Sequence, residues 1–180
     1  ILARLQLKSP SPLAQTFLLK GKTEKGLISA MSSIEINAPF DEVFSYCYSP
    51  DAACRRQTRD IERSVIEVIN SHHKVYFQCM KGASVGGFEL KPREYLADLV
   101  FRVYPPGEGP NATSNHRTIV GSSPNLIHHE LRPVKSDRVR GEVDQVFMIE
   151  ELPNQRCRLT CIASLNMGGS IPIFVTNHIA

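Results

Sequence analysis

The stretch from Gly86 to Tyr104, GGFELKPREYLADLVFRVY, constrains the fold of this chain more than any other. Beyond its glycines and Pro92 it alternates with a period of two. Tyr95, Ala97, Leu99, Phe101 and Val103 fall on one side, and Leu96, Asp98, Val100, Arg102 and Tyr104 on the other. Only the second set carries charge, so the segment reads as a strand whose first set faces a core or a cavity. The PPGEGPN that follows cannot continue a sheet and must turn. A strand of about ten residues exceeds the usual five or six. Strands of that length bend, and a bent strand suits a sheet that curls around something.

The rest of the chain supplies more strands of the same kind. Leu27–Ile36 alternates around small residues. Ser64–Asn70 and His73–Met80 form a hairpin over a tight Ser71-His72 turn, and Val75, Phe77 and Cys79 share a face of its second strand. Thr118–Ser122 is a short strand. Val139–Glu150 sets Val143, Gln145, Phe147 and Ile149 against Glu142, Asp144, Val146, Met148 and Glu150. Cys157–Asn166 sets Cys157, Leu159, Cys161, Ala163 and Leu165 against Arg158, Thr160 and Ser164. Residues 1–12 read as a loose lead-in with a Ser9-Pro10-Ser11-Pro12 linker signature, and TFLLKG (16–21) as a candidate edge strand.

Helical signals are few. NAPFDEVFSYCYSP (37–50) places Asp41 and Glu42 where a helix start favours negative charge, gives Val43, Phe44 and Cys47 one apolar face, and stops at Ser49-Pro50. A second charged helical piece is expected from Ala52 to about Arg59. Arg55, Arg56, Arg59 and Arg63 form a basic face there, read as a solvated helix beside Asp60 and Glu62, with an anion site as the alternative. Ile173–Ala180 has the look of the first turns of a helix, with Pro172 near its start. Strands joined by short turns imply an antiparallel sheet, so the class is α+β. The expected architecture is a long curved antiparallel sheet wrapped around a carboxy-terminal helix, with two short helices after the early strands and the closing helix truncated.

Composition removes several functions. The 180 residues suffice for one domain with a real core, and a net charge of +3 is too small to argue nucleic-acid binding. No apolar run approaches the ~18 residues of a membrane-spanning helix. The start, ILARLQLKSPSP, does not read as a signal peptide, and a chain beginning at Ile1 is expected to be a piece of something longer. Five cysteines, an odd number without a CxxC pair, argue against a disulfide framework and a zinc knuckle and for a reducing compartment. The expected location is therefore cytoplasmic, with peripheral membrane contact as the extension. Cys157 and Cys161 read as small buried hydrophobes rather than a metal pair. His72-His73 and His128-His129 fall in turns, and metal-binding histidine spacing and a phosphate loop are absent from the sequence. The expectation is a protein that is not an enzyme, with no cofactor and no metal.

Five segments in order resemble the START domain, the steroidogenic-acute-regulatory-related lipid-transfer family of the helix-grip fold. They are IEINAPFDEVFSYCYSP (34–50), LKPREYLADLVFRVY (90–104), IVGSSP (119–124), VRGEVDQVFMIEEL (139–152) and CRLTCIASLNMGGSIPIFVTN (157–177). The resemblance covers residues 25–180, leaving 1–24 as lead-in. Arg93 stands in the family's arginine place, Glu94 replaces the usual aspartate, and Ser170 replaces a common tryptophan. Sterol-binding relatives often project a charged side chain from this strand, and the matching position here is Leu99, which implies a drier pocket.

The resemblance implies non-enzymatic binding of a lipid or sterol-like molecule, for transfer or sensing. The inward set supplies the candidate wall: Val75, Phe77, Ala97, Leu99, Phe101, Val103, Phe147, Ile149, Leu159, Cys161 and Ala163. On residue type alone these equally make a plain core. Gln145 is the polar member, suited to a ligand hydroxyl or to a neighbouring strand's side chain. Arg93 and Glu94 either orient a headgroup or form a structural ion pair. The basic cluster Arg132, Lys135, Arg138 and Arg140 is expected to touch anionic membrane during exchange, or to be ordinary surface charge. The alternative function is a regulatory or interaction module with a packed core and no ligand.

Overall fold

The alternating segments do form strands, and their registers build one continuous inner face. The computed structural model describes residues 4–7, 13–22, 28–55, 58–85 and 87–169. The strands are β1 (Arg4–Leu7), β2 (Ala14–Lys22), β3 (Ile28–Ile36), β4 (Asp60–Asn70), β5 (His73–Met80), β6 (Ala83–Val85), β7 (Phe88–Leu90) and β8 (Arg93–Tyr104). After a loop come β9 (Thr118–Ser123), β10 (Val139–Arg140), β11 (Glu142–Leu152) and β12 (Arg156–Asn166). Ten of them make one sheet in the order β1-β2-β3-β12-β11-β9-β8-β5-β4, with the short β10 parallel beside β8, and β6 and β7 pair separately. The residues expected to be a loose lead-in thus include β1, which extends this sheet through β2.

Cross-strand partners share a face, so the register reads out the inner surface in rows. One row runs Val103, Ile119, Ile149, Leu159 and Ile34. The next runs Phe101, Gly121, Phe147, Cys161 and Ser32. Ser123, Gln145, Ala163 and Ala30 follow. The strand expected over Val139–Glu150 is two strands, because the chain changes partner at Gly141: Val139 and Arg140 pair with β8, while β11 pairs with β9 and β12. A Cβ at Gly141 would meet the Tyr95 ring at 2.4 Å, so glycine permits the crossing.

Helix α1 (Phe40–Tyr48) crosses one end of the inner face. Asp41 and Glu42 in its first turn suit the helix dipole, and no side chain caps it. It buries Phe40, Val43 and Tyr48 against Leu99, Ile119, Phe147, Ile149 and Cys157. Phe101 meets the rings of Phe44 and Tyr48, each at 4.6 Å between centroids. Where the second helix is expected, the described residues hold a 3-10 turn, Ala53–Arg55. The expected closing helix over 173–180 lies outside the described residues.

Arg117 pins α1 to the sheet. Its guanidinium bonds Glu151 at 2.9 Å and Asp41 at 3.2 Å and lies 4.6 Å from the Phe40 ring centroid. The Arg117 hydrogen bonds hold the Glu151 carboxyl below its ordinary value of 4.5. A carboxyl depressed in the folded state contributes stability above its unfolded pKa and loses it as pH falls through the folded one. Both groups are substantially solvent-exposed, so the contribution is about 1 kcal/mol at most. Arg117→Ala is therefore expected to melt lower than the parent at neutral pH. The gap should close as the pH is taken below 4.5. Thermal melts across that range check this, and a gap that stays constant contradicts it.

On the other face, the segment between β9 and β10 folds back over β8, β5 and β4. Its backbone continues along β8, with Asp98 N donating to Pro124 O and Leu126 N donating to Leu96 O. Beneath it lies a second, smaller core of Val75, Phe77, Cys79 and Leu96, with Ile66 and Leu126 against it.

Candidate functional site

Beyond α1 the described residues leave the inner face unfilled, and they line a cavity of about 490 Å³. Tyr46, Cys47 and Pro50 line it from the helix end; Tyr76, Gln78 and Met80 from β5; Tyr95 and Leu99 from β8; and Ser123 from β9. Val143, Gln145 and Phe147 of β11 and Leu159, Cys161 and Leu165 of β12 form the facing wall, and Arg63 closes in from β4. The volume is in the range of small-molecule sites. Burial pushes the Tyr95 phenol and the Cys161 thiol up from their ordinary values, so both are neutral at physiological pH.

Of the expected wall residues, Leu99, Gln145, Phe147, Leu159 and Cys161 meet at this cavity. Phe101 and Ile149 face the same way but belong to the packing under α1. Ala97 and Ala163 sit on the inner face but do not line the cavity; Ala97 is wholly buried opposite Tyr76, and Ala163 is opposite Gln145. Val103, at the far end of its row, is 43% exposed. Val75 and Phe77 are corrections. They lie on the opposite face, beneath the returning loop, and it is Tyr76, Gln78 and Met80 of the same strand that reach the cavity. Gln145 donates from Nε2 to the sulfur of Cys161 at 3.1 Å, which is the neighbouring-strand reading of that residue.

Arg93 and Glu94 do not pair with each other, because adjacent strand residues point to opposite faces. Arg93 donates Nε to the Met167 carbonyl at 2.9 Å and Nη1 to the Lys91 carbonyl at 2.6 Å. Glu94, 1% exposed, accepts two hydrogen bonds from Arg140 at 2.8 and 3.0 Å, with Arg138 at 3.9 Å. Arg132 pairs with Glu62 at 2.6 Å and stacks on Phe77. Three of the four cations in the basic cluster therefore clamp the loop to the sheet instead of forming a free patch for membrane.

Sequence reasoning missed Arg63. Read as part of a solvated helix, it is instead on a bulged strand, with a side chain 7% exposed and Asp60, 4% exposed, 3.2 Å away. Gln78 Nε2 donates to the same aspartate at 2.8 Å. The dry pocket implied by Leu99 is thus corrected. Charge enters the cavity from β4, not from β8.

The sequence matches no protein-family model and no curated protein. Solved structures match over nearly the whole chain. Human STARD10 superposes with a TM-score of 0.72 at 16% identity, over 98% of this chain and 66% of its own, so the chain spans slightly less than two thirds of that protein. Human StAR-related lipid transfer protein 5 gives 0.77 at 16% identity, over 97% of this chain and 77% of its own. The lipid transfer and protein localization domain of human StarD13 (DLC2) gives 0.69 at 17% identity, over 99% and 82%. The chain has the START-domain, helix-grip fold.

Proposed function

We propose that this chain binds a lipid-class molecule in the cavity, without catalysis, for transfer or for sensing, with residues 25–180 as the binding unit. The observation that carries the reading is the inner face that the described residues leave unfilled. Where α1 ends, side chains of β4, β5, β8, β9, β11 and β12 surround a cavity of about 490 Å³ instead of closing on one another. Burying roughly 300 Å² of apolar ligand there is worth on the order of 7 kcal/mol, before the costs of association and ordering. Micromolar binding follows without special chemistry. The lipid-transfer proteins that share the fold support the same reading. The five thiols, all free, support a cytoplasmic setting. Among the described residues no helix is long and apolar enough to cross a membrane.

Filling the cavity tests the proposal. Cys161→Phe places a ring among Gln145, Phe147 and Leu159. It is expected to weaken binding of a fluorescent acyl lipid by about tenfold or more, since a ligand displaced from even part of the cavity loses more than about 1.4 kcal/mol. Unchanged affinity in a variant that melts like the parent would place the ligand elsewhere and overturn the reading.

A further inference from the structure

Two buried donors in the cavity wall make no hydrogen bond among the described residues. Ser123, 3% exposed, has an Oγ without a hydrogen-bond partner among the described residues, and it stands on the inner face opposite Gln145. Arg63 Nε is in the same condition. Its 3.2 Å contact with Asp60 is an ion pair that lacks hydrogen-bond alignment. A buried donor left unmade costs about 1–3 kcal/mol, so such groups are rare unless something else completes them.

The two lie on different walls. Arg63 pairs in register with Gln78, and Gln78 with Tyr95; Ser123 is beside Leu99 and Gln145. Tyr95 and Leu99 are four residues apart on β8, roughly 13 Å along the strand. One oxygen on a ligand cannot serve both. Charge narrows the class further. Asp60 already balances Arg63 and is itself bonded by Gln78, so a ligand anion at that wall would meet a carboxylate. Tyr95 and Cys161 are neutral and add no counter-charge.

We propose that the cavity selects an uncharged, largely apolar molecule with two separated oxygen acceptors, as in a diol, hydroxyketone or hydroxyester, one meeting Ser123 and the other Arg63. This rests on the lipid-binding reading above and names the chemistry of its ligand. The Ser123 hydroxyl is then a specificity group rather than a stabilising one.

The test uses the full chain, Ser123→Ala, and four probes of equal length: dodecane, dodecanol, the α,ω-diol of dodecane, and dodecanoate. In the parent the diol is expected to bind about tenfold tighter than dodecanol, one added hydrogen bond in a buried site. Dodecanoate is expected to bind more weakly than dodecanol. Ser123→Ala should bring the diol to the affinity of dodecanol, leave dodecane unchanged, and melt no lower than the parent, because no hydrogen bond is lost. Equal binding of diol and dodecanol overturns the inference, as does tightest binding of dodecanoate, or a diol affinity indifferent to Ser123→Ala. In each of those outcomes the lipid-binding reading stands. Failure of all four probes removes that reading and the inference with it.

Discussion

Glu94→Gln is expected to destabilise the protein by about 3–5 kcal/mol, the cost of leaving a buried cation without its partner. Glu94 is wholly enclosed, and Arg140, with a side chain 9% exposed, donates both Nε and Nη2 to one of its oxygens. Arg140 also bonds the carbonyls of Ile127 and Arg132, so this one carboxylate anchors the loop that covers Val75, Phe77 and Leu96. Glutamine cannot balance the guanidinium, and the loop should loosen. Removing both charges together, Glu94→Leu with Arg140→Met, is expected to keep most of the stability that the single change loses. Urea unfolding of the parent and the variants measures both. A loss below about 1 kcal/mol for Glu94→Gln would mean that the pair is as weak as an exposed one. The clamp is on the face opposite the cavity, so ligand affinity of the folded fraction should be unaltered.

Gly121→Ala should cost about 1–3 kcal/mol, the usual range for overpacking a core. A Cβ there would fall 2.1, 2.4 and 2.7 Å from three atoms of the Phe147 ring, which itself is only 5% exposed. The backbone at Gly121 is an ordinary strand, and alanine would be the better strand residue but for that ring. Phe147 spans the boundary between the α1 core and the cavity. Its displacement should therefore change ligand affinity as well as stability. Phe147→Leu added to Gly121→Ala is expected to restore part of the loss. Differential scanning calorimetry on the two variants decides it; an alanine variant as stable as the parent contradicts the packing described.

The sheet was legible in the sequence where one face is buried and the other is wet. On β11 and β12 the sets Val143–Ile149 and Cys157–Leu165 share the inner face, because alternation sets their orientation, although burial departs from it at the end of β12, where Ser164 is buried and Leu165 is exposed. On β5 both faces are covered. Val75, Phe77 and Cys79 are the more apolar set, and the rule that apolar residues face the cavity put them on the wrong side. What buries them is the loop after Pro124, whose fold-back depends on Glu94 meeting Arg140 across 46 positions. No local pattern announces a contact of that range. Arg63 was missed for a related reason. β4 has register shifts near Asp60, Val65 and Val68, so its residues follow neither a period of two nor a helical one. The cavity itself could not be read from residue type, since Leu99 and Ile149 are equally apolar and only the end of α1 separates wall from core.

Native mass spectrometry of the full chain, after incubation with vesicles of mixed phospholipid, sterol and acylglycerol, tests the central claim most directly. The account predicts a bound state heavier by one lipid per chain, retained through gel filtration and lost in Cys161→Phe. A chain that stays at its own mass against every vesicle composition would contradict it and make the inner face a protein core with an empty hollow.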